Sequence, residues 1–245
     1  MALVDEAQQI ALPVAGHVPR DMTALAVADA GQRSIEHLMG LPGECFAEAG
    51  PDSICTTTLR RLAGTGVWSV PTLVAWRGRL LAADLGMKTR PELRYVPTLA
   101  ARWAADAPAP NAEAMESNRR MLAQFLEIVG ALRAAGVGIL AGTDCANAYV
   151  VPGFALHDEL RLLVEAGLTP ADALAAATAA PARFLGLSDE LGTIAAGKRA
   201  DLVMLEGDPL IDIGNTSRIS AVILGGALMD RVALDAMLGA ALEVR

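Results

Sequence analysis

What most constrains this chain is a cycle that it runs through four times. An apolar run opens into a polar loop, a helix-forming stretch follows, and a glycine stops it. The runs Ile10 to Ala15, Ser34-Ile35, Val67 to Val70 and Val137 to Ala141 read as strands. Helices are predicted over Met22 to Ala30, Thr56 to Ala63, Asn111 to Ala135 and Phe154 to Ala166, closed by Gly31, Gly64, Gly136 and Gly167. Strands joined through a helix lie parallel and side by side, so four cycles predict an α/β fold amounting to half of a (β/α)₈ barrel.

The cycle breaks down after about residue 187. Gly192-Thr193-Ile194, Asp201 to Leu205, Ile219 to Leu224 and Leu228 to Val232 read as strands, with Gly197-Lys198 and Gly225-Gly226 as turns. Residues 1–187 are therefore expected to form the half-barrel and 188–245 a small antiparallel β unit. Between the third strand and the long helix, Val74 to Ala109 is an irregular excursion broken by Gly86, Pro91, Pro97 and Pro108. It follows a strand end, where it reads equally well as a lid over a site or as decoration.

The chemistry-bearing residues sit at the carboxyl ends of these strands. His17 ends the first and His37 the second, while Asp144 follows the fourth in Gly142-Thr143-Asp144. The carboxyl ends of barrel strands are where such folds place catalysis. Two neutral imidazoles and a carboxylate form a common zinc set with a position left open for water, whose pKa the metal lowers to about 7. A carboxylate beside that water can take its proton and pass it to a leaving group, and Asp144 is placed to do so. Each residue alone also has a plain structural reading, as a hydrogen-bonded strand-end histidine or a loop aspartate. His157, in the first turn of the fourth helix, reads more readily as structural than as a substrate contact.

Charge and composition exclude other classes. A net charge of −8 with no cluster of Lys or Arg argues against nucleic acid and anionic membranes as partners. Apolar residues at 53% suffice for a large core. Cys45, Cys55 and Cys145 are odd in number and lack CxxC spacing, so neither a disulfide framework nor a zinc knuckle is expected, and the setting reads as reducing. MALVDEAQQI has no basic segment leading into an apolar one, so a soluble cytoplasmic protein is the expectation.

GHVP, SIEH, VPTL, AGTD, GFALHDELRLLVEAGLTPADALAAAT and LGTIAAGKRADLVML occur in this order. Together they resemble the C-terminal part of a metal-dependent amidohydrolase of the imidazolonepropionase-like and prolidase-like branch. The resemblance implies strands five to eight of a TIM barrel plus the C-terminal share of a small β-sandwich. It implies metal ligation by His17 and His37, and metal binding with proton shuttling by Asp144. It also implies a divalent metal, zinc first, and hydrolysis of a C–N bond in an amide, dipeptide or cyclic amide. The family's His-x-His pair and its bridging lysine have no counterpart here, since Lys88 and Lys198 are the only lysines and stand elsewhere. The metal site is therefore expected to be incomplete in this chain, and the chain inactive alone, an oligomer, or lacking an N-terminal half. The alternative is a non-catalytic half-barrel that pairs with itself or another chain.

Overall fold

A computed structural model describes residues 2–41, 43–46, 54–109 and 111–243. Helix α1 (Ala2–Gln9) leads into β1 (Ala15–Gly16), α2 (Ala24–Asp29), β2 (Ser34–Glu36), α3 (Ile54–Thr65) and β3 (Trp68–Val70). The excursion carries α4 (Leu73–Leu80), α5 (Leu85–Lys88), a 3-10 turn (Pro91–Tyr95) and α6 (Pro97–Asp106). Then come α7 (Ala112–Ala134), β4 (Gly138–Ile139), α8 (Phe154–Glu165), α9 (Pro170–Ala176) and α10 (Ala179–Leu185). Strands β1 to β4 form one parallel sheet in the order 1-2-3-4.

Local sequence accounts for several of these boundaries. Asn111 and Thr169 accept hydrogen bonds from the N–H groups of Ala114 and Asp172, as N-caps do, and Pro170 takes the first helical position. Gly31, Gly136 and Gly167 follow their helices at φ of 103°, 91° and 98°, where a side chain would be strained. Val27, Leu59, Leu62, Val129 and Leu163 carry the apolar faces of α2, α3, α7 and α8 into one core against Ile35 and Ile139. A second, smaller core joins Met87, Leu93 and Trp103 of the excursion to Tyr149 and Val151, beyond β4.

The second sheet is antiparallel, with β5 (Leu202–Leu205), β6 (Ile219–Leu224) and β7 (Ala227–Asp230). It is followed by α11 (Arg231–Glu243), a helix that the sequence reading missed. Among the described residues, no helix is long and apolar enough to cross a membrane.

Several expectations need correction. Gly64 does not stop its helix: α3 runs through it to Thr65, and Gly66, at φ 73°, follows the end. Ile10 to Ala15 is not a buried strand: only Ala15–Gly16 pairs, and Ile10 and Leu12 are 67% and 59% exposed. Among the described residues β1 is an edge strand, with no strand paired on its outer side to cover the run. Gly192-Thr193-Ile194 forms no strand, and Ile194 lies open to solvent. Cys45 and Cys55 are joined in a disulfide, their Cα atoms 5.0 Å apart, leaving Cys145 as the free thiol. The 3-10 turn Gly43–Phe46 brings Cys45 against the first turn of α3, a proximity that spacing alone does not show. The inference of a reducing setting rested on unpaired thiols, and this bond removes that ground.

Candidate active site

The carboxyl ends of the parallel strands meet at one cleft of about 360 Å³, whose walls include His17, His37, Thr72, Trp76, Arg79 and Asp144. His17 follows β1 directly and His37 follows β2 directly, so parallel pairing sets their rings side by side, with centroids 4.9 Å apart. Asp144 comes from the loop after β4, and its Oδ2 lies 3.7 Å from His37 Nε2. Three of these non-glycine residues hold left-handed backbones: His37 at φ 59°, Thr72 at 48° and Asp144 at 52°. Each such conformation costs on the order of 1 kcal/mol and persists where surrounding contacts enforce it, characteristically at functional sites.

Hydrogen bonds define which nitrogen of His37 faces the cleft. Thr72 Oγ1 donates its only proton to the Pro71 carbonyl at 2.8 Å. The same oxygen lies 2.6 Å from His37 Nδ1, so it accepts there and the ring carries its proton on Nδ1. Nε2 then turns a lone pair toward Asp144 Oδ2. Burial holds the His37 pKa below its usual 6.5, with His17 adding to the effect and Asp144 opposing it, so the ring is neutral at pH 7. Two acceptors facing each other across 3.7 Å repel unless a positive charge lies between them. Asn147 Nδ2 steadies the carboxylate by donating to Asp144 Oδ2 at 2.6 Å.

This donor set suits a divalent cation of borderline softness: a neutral imidazole anchored through its far nitrogen, a carboxylate and a second imidazole. As the side chains stand, though, no three His, Cys, Asp or Glu among the described residues are drawn closely enough together to hold a metal ion. His17, His37 and Asp144 share the cleft without closing on one point.

His157 is not in this cleft. Its Nδ1 lies 3.1 Å from Thr216 Oγ1, at the junction of α8 with the 3-10 turn Ile213–Ser217. The sequence favoured a structural role for His157 over contact with substrate, and its ring lies against Thr216 rather than among the walls of the cleft. Thr72, Asn147, Arg79 and Trp76 were not singled out from the sequence. Thr72 stands in the VPTL run, where a hydroxyl just past a strand end was the available signal.

Behind the cleft, α8 grips α4 through two consecutive acids. Asp158 Oδ2 accepts from Arg77 at 2.8 Å and also from Arg90, which fastens the excursion to α8. Burial raises the Asp158 pKa, but Arg90 and Arg77 outweigh it and hold the carboxyl below its ordinary value. Glu159, wholly buried, accepts from the N–H groups of Leu73 at 3.1 Å and Val74 at 2.7 Å. Burial pushes its pKa from 4.5 up to about 8, against the pull of those two N–H groups and Arg77.

A profile described as the amidohydrolase family matches residues 1–229. The chain is 30% identical over 203 residues to a 5-methylthioadenosine/S-adenosylhomocysteine deaminase of Moorella thermoacetica, covering 72% of this chain and 46% of that protein. It superposes on a bottromycin amidohydrolase with a TM-score of 0.76 at 28% identity, covering 99% of this chain and 55% of the other. It also superposes on a Xaa-Pro dipeptidase with methionine bound in its active site, with a TM-score of 0.63 at 25% identity, covering 94% and 47% of the two chains. The chain spans about half the length of the relatives it matches.

Proposed function

The chain belongs to the amidohydrolase family, and on that premise we propose that it is the C-terminal half of a hydrolase that cleaves a C–N bond in a small amide, dipeptide or cyclic amide. Four parallel strands in the order 1-2-3-4, each followed by helix, support reading residues 1–187 as strands five to eight of a (β/α)₈ barrel. The antiparallel sheet supports reading residues 188–245 as the C-terminal share of a small sandwich.

One observation carries the chemistry: a neutral Nε2 of His37 looks at Asp144 Oδ2 across 3.7 Å, with the His17 ring alongside. His17, His37 and Asp144 would hold a divalent cation, zinc first. When bound, that ion supplies a water of lowered pKa and polarises the carbonyl beside the scissile bond. Asp144 takes the proton from the attacking water and returns it to the leaving nitrogen, while Asn147 keeps its carboxylate aimed. Arg79, with no carboxylate partner among the described residues, suits a substrate that carries an anionic group, as a small peptide does.

The test is zinc titration against a chromophoric chelator, with hydrolysis of a panel of dipeptides and cyclic amides measured in parallel. We expect the wild type to bind zinc and His17→Ala to bind it at least tenfold more weakly. As half of a barrel the chain is expected to hydrolyse none of the panel by itself, so zinc decides: wild type that binds no zinc, or His17→Ala that binds it as tightly as wild type, overturns the proposal.

A second reading, a non-catalytic half-barrel that pairs with itself or another chain, draws on the sheet's two edges. β1 and β4 each lack a neighbour on their outer side among the described residues, and Ile10 and Leu12 are exposed beside β1. Open parallel edges call for partners. Light scattering that finds a monomer at micromolar concentration argues against this reading.

A further inference from the structure

We propose that Glu159 is a positioning residue for His37, acting through the start of α4 and the hydroxyl of Thr72. The inference rests on His37 being a working residue of the cleft, as argued above.

A fully buried acid in the apolar run of α8 needs a reason, because leucine there would pack without any cost of desolvation. What a carboxyl group offers, protonated or not, and neither leucine nor glutamine can, is two oxygens side by side that each keep a lone pair for an N–H. Glu159 sets one on each of two consecutive N–H groups, those of Leu73 and Val74 in the first turn of α4. These N–H groups are among the four that a helix leaves unpaired at its start.

Ordinarily the residue before the helix satisfies them with its own side chain. Here that residue is Thr72, a good capping type, yet its side chain makes no capping bond and its backbone is left-handed at φ 48° and ψ 49°. Glu159 does the capping from another helix, 86 and 85 residues away in sequence. Thr72 is thereby released, and its hydroxyl spans the Pro71 carbonyl and His37 Nδ1 instead. The chain of contacts runs from Glu159 to the Leu73 and Val74 amides, to Thr72, to the His37 ring. Its product is a ring held with Nδ1 protonated and Nε2 open to the cleft.

Glu159→Gln breaks this arrangement with little change of volume. Glutamine keeps one acceptor and turns an NH₂ donor toward the second N–H, so the α4 start needs another cap. Thr72 is the residue at hand, and supplying the cap costs His37 its acceptor. Thr72→Val removes that acceptor directly.

Three measurements decide the matter: thermal stability, the ring tautomer of His37 from imidazole ¹⁵N shifts of the metal-free protein, and zinc affinity by chelator competition. Both variants should lose the single Nδ1–H tautomer and bind zinc roughly tenfold to a hundredfold more weakly. The double variant should be no worse than Thr72→Val alone, because the two changes act along one path. Leu163→Ala, a core variant destabilised without touching this path, should keep both tautomer and affinity. Glu159→Gln that loses stability but keeps the wild-type tautomer, or whose loss of affinity multiplies with that of Thr72→Val, overturns the proposal. If Glu159→Gln does not fold, an unaltered tautomer in Thr72→Val overturns it equally. Wild type that binds no zinc defeats the functional reading alone, since the tautomer is read without metal.

Discussion

Gly78 provides the sharpest test of how α4 is set against the loop that carries Asp144. A Cβ placed on this glycine would lie 2.0 Å from the carbonyl oxygen of Ala148. Carbon and oxygen sit no closer than about 3.3 Å even in favourable contacts, so Gly78→Ala must part helix and loop by more than about 1 Å. The obstacle is backbone, flanked by the fully buried Tyr149 and Val150, and it cannot swing aside as a side-chain tip would. Overpacking of this kind costs about 3 kcal/mol, the upper end of its range. Alanine's better helix propensity returns about 1 kcal/mol, leaving a net loss of about 2 kcal/mol. For a chain of this size that lowers the melting temperature by roughly 4–8 °C. Gly64 in α3 is the control: a Cβ there meets nothing within 4 Å, so Gly64→Ala should raise the melting temperature by roughly 1–4 °C. Paired thermal melts by circular dichroism read both. Propensity alone predicts a gain for both variants, so Gly78→Ala melting at or above wild type would refute the close approach described here.

Two further outcomes concern the disulfide and His157. Denatured but unreduced protein should titrate one thiol, that of Cys145, and three after reduction; reduction should cost about 2–3 kcal/mol for so short a loop, and three thiols before reduction would contradict the bond. Burial, helped by Arg161 and opposed by Asp158, holds the His157 pKa below 6.5, so the folded state binds fewer protons than the unfolded one. Stability should therefore fall as pH drops from above 6.5 through the folded pKa, and His157→Gln should remove part of that slope in urea midpoints taken at pH 7.5 and 5.5. An unchanged slope would place the His157 ring in water rather than against Thr216.

Much of the barrel-like part was legible in the chain because its signals are local. Asn111, Thr169, Gly31 and Gly167 act within a turn or so of their own positions, and each marks a helix end regardless of what packs nearby. The placement of His17 and His37 one strand–helix unit apart, at adjacent strand ends, follows from the same local grammar. Where a reading needed to know what lies across space, it failed. Ile10 and Leu12 have the composition of a buried strand, but burial depends on a neighbouring strand, and among the described residues β1 has none on that side. The helix α11 lay in a stretch read as β, where the strand-like run through Val232 drew attention from the Ala- and Leu-rich residues after it.

The sequence by itself determined the order of the four parallel strands and the helices that follow them, their parallel pairing, and the family to which the chain belongs, because hydrophobic period, caps and motif order are properties of neighbours along the chain. Only the tertiary structure decided that Cys45 bonds Cys55, that Thr72 gives its hydroxyl to His37, and that a glutamate 86 residues away caps the helix after Thr72. Those are contacts between groups that chain connectivity leaves independent. Folding alone brings them within the three ångströms or so at which a hydrogen bond can tell one partner from another.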